Sequence, residues 1–480
     1  MGPVFEFPLT LPARDSRGRL RALHAQLRAA ILDGRLKPGL RLPSTRRLAS
    51  AYGISRNTAV AAYDLLLSEG YVVARRGSGV DVATALPRRT GAAVAEAGAD
   101  RRLAAYWRTP PVTFAPLPQP PARLDFALGV PDAALFPFAL WRRLTARVLR
   151  TMARTRAVYG QPRGQASLRE GIAQHVSFAR AVACAAEDVI VTSGAQQAFD
   201  LIARVLVTAG RTVVAVENPG YPPVGAAFAA AGAKIVPVRV DAEGLVIGRV
   251  PREARIVCVT PSHQFPLGCA MSARRRAALL DLARVRNAVV VEDDYDGEFR
   301  FGGRPLDALQ TLDRERVFYV GTFSKSLVPA IRLGYLVAPG WARRALIAAK
   351  RDADWHSGVI EQETLAAFIA EGHLVRHVRR MRTVYAARRA ALLDALERDF
   401  GRWLTPVPNI AGLHLAALAS PSVDVAALVE RAREHDVGVS SLRGFHTGAA
   451  TRRGFAFGYG AIDEAAIVEA CARLARIWPR

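Results

Sequence analysis

The sequence predicts an α/β protein in two parts: a small helical head closed by a two-stranded hairpin, and a large domain built on a mostly parallel sheet. Three observations lead there. Residues 1–83 alternate short helical patterns with tight turns. Residues 84–122 are rich in Ala, Pro, Arg and Gly and end in RTPPVTFAPLPQPPAR. From Leu124 onward, short apolar strands alternate with longer helical stretches, the pattern of βαβ units. Proline can neither donate to a ladder nor continue a helix, so 84–122 reads as a linker between a head at 1–83 and a large domain at 123–480. A chain of 480 residues exceeds one ordinary domain, and its 51% hydrophobic content can fill a core in each part.

Composition narrows the function. No run of about 18 apolar residues occurs, which argues against a membrane-spanning helix. The opening segment has no basic stretch followed by an apolar one, so no secretory signal is expected. The four cysteines are scattered without a CxxC pair. Reduced thiols, a cytoplasmic setting and no metal site are the expectation. The formal net charge of +24 points to an anionic partner, nucleic acid first. A general arginine bias is the alternative, since the only lysines are Lys37, Lys234, Lys325 and Lys350. Distribution favours the first reading, because residues 1–90 hold 15 basic against 6 acidic residues.

In the head, Leu20, Leu23, Leu27 and Ile31 recur at helical spacing. KPG at 37–39 breaks the chain. Ser44 suits the N-cap of a second helix, Gly53 the turn after it, and Ser55 the N-cap of a third. The third helix has Val60, Tyr63 and Leu67 on one face and Arg56, Asn57 and Thr58 in its first turn. YVVA and VDVA then flank RRGSG as a small hairpin. Helix, turn, helix and hairpin together make a winged helix-turn-helix, whose third helix enters the major groove with its first residues at base edges. Arg reads guanine and Asn reads adenine by paired hydrogen bonds, and a basic, glycine-rich wing approaches phosphates. A small protein-interaction domain with a solvated basic face is the alternative. The stretch LPSTRRLASAYGISRNTAVAAYDLLLSEGYVVARRGSG resembles the GntR superfamily of bacterial repressors. The resemblance implies contacts to double-stranded operator DNA from Arg46, Arg56, Asn57, Thr58 and a wing at Arg76, Gly77 and Gly79.

In the large domain, three strand ends matter. DVIVTSG ends at Gly194 as a helix begins. AVVVEDDY puts Asp293 and Asp294 at a second strand mouth. VFYVGTFSKS puts Lys325 just past a third. Ligands of open α/β sheets bind outside the carboxyl ends of the strands, so one crevice receives a phosphate cradle, an acid and an amine. That set suits pyridoxal phosphate, an aldehyde that forms an imine with a lysine. Lys37 lies in the head, Lys234 in a strand approach and Lys350 on a helix of Arg and Ala, which leaves Lys325. Gly194, Ala195 and Gln196 offer amides at a helix N-terminus for the phosphate. Thr322, Ser324 and Arg332 add hydroxyls and a positive charge. Asp293 suits the ring nitrogen, Tyr295 the ring's phenolic oxygen, and Tyr221 either stacks on the ring or serves as a turn aromatic.

DFALGVPDAALFP, YGQPRGQASLREGIA, VTSGAQQAFDLIARVL, TPSHQFPLGCAMSARRR, VVVEDDYDGEFRF and GTFSKSLVPAIRLGYLVAP resemble the fold-type I, pyridoxal-phosphate-dependent aminotransferases. With the head included, the chain resembles the MocR/GabR regulators over most of its length. This implies a regulator that senses pyridoxal phosphate or its adduct with an amine. It also implies a domain-swapped, head-to-tail homodimer with each head on the partner's large domain. An active aminotransferase with an accessory head is the alternative. One departure stands out. Related enzymes grip a substrate carboxylate with an arginine in a late strand. Here GFAFGYGAID puts Ala456 at that position, with Arg452 and Arg453 just upstream, which points away from an amino-acid effector and towards the cofactor itself.

Overall fold

The computed structural model describes residues 4–5, 7–12, 18–75, 79–84, 101–109, 122–156, 158–302 and 307–478. The chain divides into two compact units, Met1–Gly98 and Ala99–Arg480. The division falls inside the stretch read as a linker. Much of 84–122 lies outside the described residues, but Ala105–Arg108 is a helical turn belonging to the second unit. There Tyr106 donates to the carbonyl of Ala226 at 3.3 Å. Tyr106 is half-buried there, while Trp107 stays exposed.

In the first unit, α1 (Arg19–Leu32), α2 (Thr45–Tyr52) and α3 (Arg56–Ser68) are followed by β1 (Val72–Arg75) and β2 (Gly79–Val82). The hairpin pairs antiparallel in the register Val72↔Val82. Ser44 and Ser55 cap their helices by accepting the amides of Arg47 and Thr58, the role their hydroxyls predict. Gly53 takes the left-handed conformation at φ 57° that closes α2 sharply. The inward face of α3 differs from the expectation. Tyr63 is buried as expected, but Val60 is exposed and Leu67 only half-buried, and the core is met by Ala59, Ala62 and Leu66. Ala59 and Ala62 join the core cluster with Leu23 and Leu27 of α1, and Val60 lies on the outward face.

The second unit is built on an eight-stranded sheet. Its strands are β3 (Val189–Thr192), β4 (Val213–Asn218), β5 (Lys234–Asp241), β6 (Gly244–Leu245), β7 (Ala254–Val259), β8 (Val289–Asp294), β9 (Val317–Thr322) and β10 (Gly334–Val337). Their order is β3-β10-β9-β8-β7-β4-β5-β6. β9, β8, β7, β4 and β5 run parallel, and β10 is antiparallel to both its neighbours. Strand alternation sends Val214, Val216, Cys258, Val291 and Val320 to one face, under α4 (Ala195–Leu206), α5 (Pro222–Ala230) and α6 (Arg343–Asp354). Val213, Ala215, Val257 and Val290 face the other side, under the helix Ala273–Arg286. Burying both faces is what a parallel sheet requires, and each large side chain so enclosed contributes roughly 1.5–3 kcal/mol. A smaller antiparallel sheet of Leu404–Pro406, His414–Ala419, Ser440–Ser441 and Gly454–Gly458 lies towards the C-terminus.

Register positions the site. Gly334 pairs with both Thr192 and Thr322, and Val320 pairs with Asp293. The ends of β3, β9 and β8 therefore align along one sheet edge.

Candidate functional site

Lys325 follows β9 and is half-buried, with Nζ donating to the carbonyl of Gly129 at 2.7 Å. Burial lowers its pKa, Arg332 lowers it further, and Asp296 and Asp293 oppose the shift. Gly129 sits at φ +66°, and a Cβ there would fall 2.7 Å from the Lys325 amine. Only glycine admits the lysine at that distance. The sequence reasoning missed Gly129, although it lies in the quoted stretch DFALGVPD.

Asp293 lies one residue before the end of β8 with 6% of its surface exposed. Among the described residues its Oδ1 is buried without a hydrogen-bond partner. Burial, reinforced by Asp294 and Asp296, pushes its carboxyl well above the ordinary range, with Lys325 pulling the other way. Asp294, one residue on, faces the opposite side of the sheet, where its Oδ2 accepts from Arg180 Nε and the Tyr319 hydroxyl, each at 2.6 Å. Alternation thus separates a structural carboxylate from one left open at the crevice.

The glycine turn expected to receive a phosphate lies where β3 runs into α4. Gly194 has φ +80°, and a Cβ on it would lie 2.8 Å from Nη2 of Arg332. The guanidinium therefore packs directly over the glycine, and Nη2 donates to the carbonyl of Ser193 at 3.0 Å. Arg332 itself adopts φ 54°. Gly194, Ala195 and Gln196 lead into α4, whose N-terminal amides and dipole suit an anion. The Gln196 side chain is turned to the carbonyl of Pro223 at 3.2 Å, so its contribution is the backbone. Thr322 and Ser324 are buried and bonded to each other, Oγ1 to Oγ, at 3.0 Å.

Tyr221 precedes α5 and meets Phe265 edge-on at 5.4 Å. Its hydroxyl is pushed up to about 12 by burial and by Asp293. It lines a cavity of about 340 Å³ with Asp293, Glu217, Cys258 and Phe445. Tyr295 follows Asp293 by two residues and is buried. Its hydroxyl donates to the carbonyl of His263 and lies 2.9 Å from that residue's Nδ1. His263 Nδ1 also meets Asp296 Oδ2 at 2.9 Å. With His414 these residues bring three potential metal-ligand atoms within 4.8 Å of one another. Two of the three are already hydrogen-bonded together, and the Lys325 charge bears on His414, which works against a cation there.

Ala456 is fully buried among Ala416, Leu442 and Leu267. The Arg453 guanidinium is committed to the carbonyls of Val423 and Pro421, so it does not stand in for the missing arginine. In the head, Arg46, Arg56 and Asn57 are exposed, whereas Thr58 is half-buried with Oγ1 on Ser55 Oγ at 2.8 Å. Gly79 opens β2 against the Arg41 guanidinium, about which the sequence reasoning said nothing. Arg76 and Gly77 lie outside the described residues.

Residues 124–474 match the aminotransferase class I and II family, and residues 20–82 match the bacterial regulatory proteins of the gntR family. The chain is 38% identical to a probable rhizopine catabolism regulatory protein, MocR, of Rhizobium meliloti, covering 92% of this chain and 90% of that one. It is 35% identical to the transcriptional regulator TauR of Rhodobacter capsulatus, with 99% of each covered. It is 31% identical to the pyridoxine biosynthesis transcriptional regulator PdxR of Corynebacterium glutamicum, with 96% of each covered. The chain belongs to the MocR-type transcriptional regulators.

Among solved structures, the kynurenine aminotransferase of Pyrococcus horikoshii superposes with a TM-score of 0.69 at 28% identity, covering 75% of this chain and 91% of that one. The α-aminoadipate aminotransferase of Thermus thermophilus, complexed with N-(5'-phosphopyridoxyl)-L-leucine, gives 0.68 at 30% identity, covering 74% and 91%. This MocR-type chain therefore joins a gntR-family DNA-binding head to an aminotransferase fold. Among the described residues, no helix is long and apolar enough to cross a membrane.

Proposed function

We propose that the large domain binds pyridoxal phosphate in the crevice of Lys325 and Asp293, and that occupancy by the cofactor, or by its adduct with an amine, sets the head's affinity for an operator. One observation carries the reading: a buried carboxyl oxygen, unpartnered among the described residues, stands within electrostatic reach of the half-buried Lys325 amine that the Gly129 carbonyl holds. A protonated ring nitrogen is the partner that Asp293 Oδ1 lacks, and a charge-assisted hydrogen bond there repays its desolvation. Glycines at 129 and 194 admit the Lys325 amine and the Arg332 guanidinium at close range, which supports the same group.

Bound there, pyridoxal phosphate would supply an aldehyde carbon and an electron-withdrawing ring. Asp293 holds the proton on the ring nitrogen. Lys325, its ammonium form disfavoured by burial, presents an amine that the Gly129 carbonyl orients. The amides of Gly194, Ala195 and Gln196 take the phosphate with the Arg332 guanidinium and the hydroxyls of Thr322 and Ser324. Tyr221 stacks on the ring. Tyr295 would hold the phenolic oxygen.

The apolar surroundings of Ala456 leave no carboxylate grip at that position, which favours the cofactor itself as effector. A relative named for regulating pyridoxine biosynthesis supports this. The working unit is proposed as a cytoplasmic, domain-swapped, head-to-tail homodimer. The coupling is limited by the difference in ligand affinity between its DNA-binding states.

The test is a titration. DNA from upstream of the protein's own coding sequence is footprinted, and its affinity for the purified protein is measured against pyridoxal phosphate while the visible spectrum is followed. A shift in half-saturation that tracks the absorbance is expected. Affinity that stays flat across the titration overturns the sensor reading. Turnover of amino acids without DNA affinity favours the aminotransferase alternative.

A further inference from the structure

Lys350 on α6 is fully enclosed, although its neighbours are Arg and Ala. Enclosing an ammonium is costly unless its hydrogen bonds are made. Nζ donates to Asp354 Oδ1 at 2.5 Å and to Ser357 Oγ at 3.3 Å. Both acceptors lead to one residue. Asp354 Oδ2 accepts from Gln197 Nε2 at 2.8 Å, and Gln197 Oε1 accepts the Ser193 amide at 2.8 Å. Ser357 Oγ lies 3.3 Å from Ser193 Oγ. The Ser193 carbonyl takes the Arg332 guanidinium at 3.0 Å. Ser193 is thus held at its amide, hydroxyl and carbonyl, directly before the three amides that open α4.

We infer that Lys350 is a positioning residue of the phosphate cradle: through Asp354, Gln197 and Ser357 it holds Ser193, and so aims the amides of Gly194, Ala195 and Gln196 at a phosphate ester. It also neutralises Asp354, which would otherwise set a bare negative charge behind an anion site. Burial pulls the Lys350 ammonium below its ordinary pKa and Asp354 pulls it back. Trp355, next after Asp354, is kept at φ 62° and ψ −63°. Local strain of this kind persists where surrounding contacts over-determine the backbone. The inference rests on the pyridoxal phosphate reading above.

The experiment compares two aldehydes that differ only in the phosphate. Full-length wild type, Lys350→Met and Gln197→Met are titrated with pyridoxal phosphate and with pyridoxal. Binding is followed by visible absorbance and by mass after borohydride reduction, and melting is recorded alongside. Lys350→Met is expected to weaken pyridoxal phosphate roughly tenfold or more, the scale of a lost charge-assisted contact, and to leave pyridoxal unchanged. Gln197→Met is expected to show a smaller loss of the same phosphate-selective kind, and it carries the comparison if Lys350→Met fails to fold. A purely structural role would lower melting and weaken both aldehydes by the same factor. That result, or no loss for either, overturns the inference. A wild type that binds neither aldehyde removes the cofactor reading instead.

Discussion

In the head, Arg46, Arg56 and Asn57 stand in solvent on a frame held by Ser44 and Ser55, while Leu23, Leu27, Tyr63 and Leu66 form the core behind them. In the large domain the groups that matter are inside: Asp293 with an unpartnered oxygen, Lys325 against a backbone carbonyl, Glu217 and Lys350 out of water. A surface that reads DNA separates recognition from stability, since exposed side chains contribute little to folding. A crevice built from buried titratable groups joins the two. Its titratable groups are held where they cost stability until a ligand meets them.

The largest effect that would break this contrast concerns Lys325. Lys325→Ala should abolish covalent capture of pyridoxal phosphate, read as loss of the borohydride-fixed mass adduct, while leaving the head's DNA contacts in place. A retained adduct would move the amine to another lysine. Next comes the pH dependence of Glu217. Its carboxyl is pushed up to about 7 by burial, against hydrogen bonds from Thr260 and Gln264. The folded value lies above the ordinary one, so the folded state holds the extra proton between them. Stability therefore falls as pH rises from the ordinary carboxylate range to about 7, and the penalty is complete above that. Glu217→Gln should gain up to about 3 kcal/mol on wild type between pH 5 and pH 8 in denaturant unfolding of the large domain. A constant difference between the two across that range would show that the burial cost is met some other way. Smaller still, Arg56→Ala should cost about 1–3 kcal/mol of operator binding and relax base preference, with the denaturation midpoint unmoved. A shifted midpoint with unchanged DNA affinity would place Arg56 in the frame and not at the DNA.

Much of this was legible beforehand for local reasons. A serine before a helical run caps it, a strand ending in Gly or Asp at a helix start offers a ligand edge, and few lysines leave few amines. Asp293 and Lys325 follow from those rules. What escaped them depended on partners distant in the chain. Val60 and Leu67 have the spacing of a buried face, but the alanines of α3 meet α1. Lys350, known beforehand only as part of a helix of Arg and Ala, meets Asp354 and Ser357, and only the bond from distant Gln197 to Asp354 ties it to Ser193. Tyr295 sits two residues from Asp293, yet its hydroxyl is taken up by His263.

By itself the amino-acid order determined the two-part architecture, the caps of the head, and the strand ends that carry an acid, an amine and a glycine cradle, because these depend on period, termini and residue chemistry within a few positions. Only the tertiary structure decided which carboxylate of the Asp293–Asp294 pair stays unpartnered, which lysine stands behind Ser193, and that Arg453 is spent on the carbonyls of Val423 and Pro421. Those outcomes turn on burial and on contacts between residues far apart in the chain, and these exist only once the sheet has assembled.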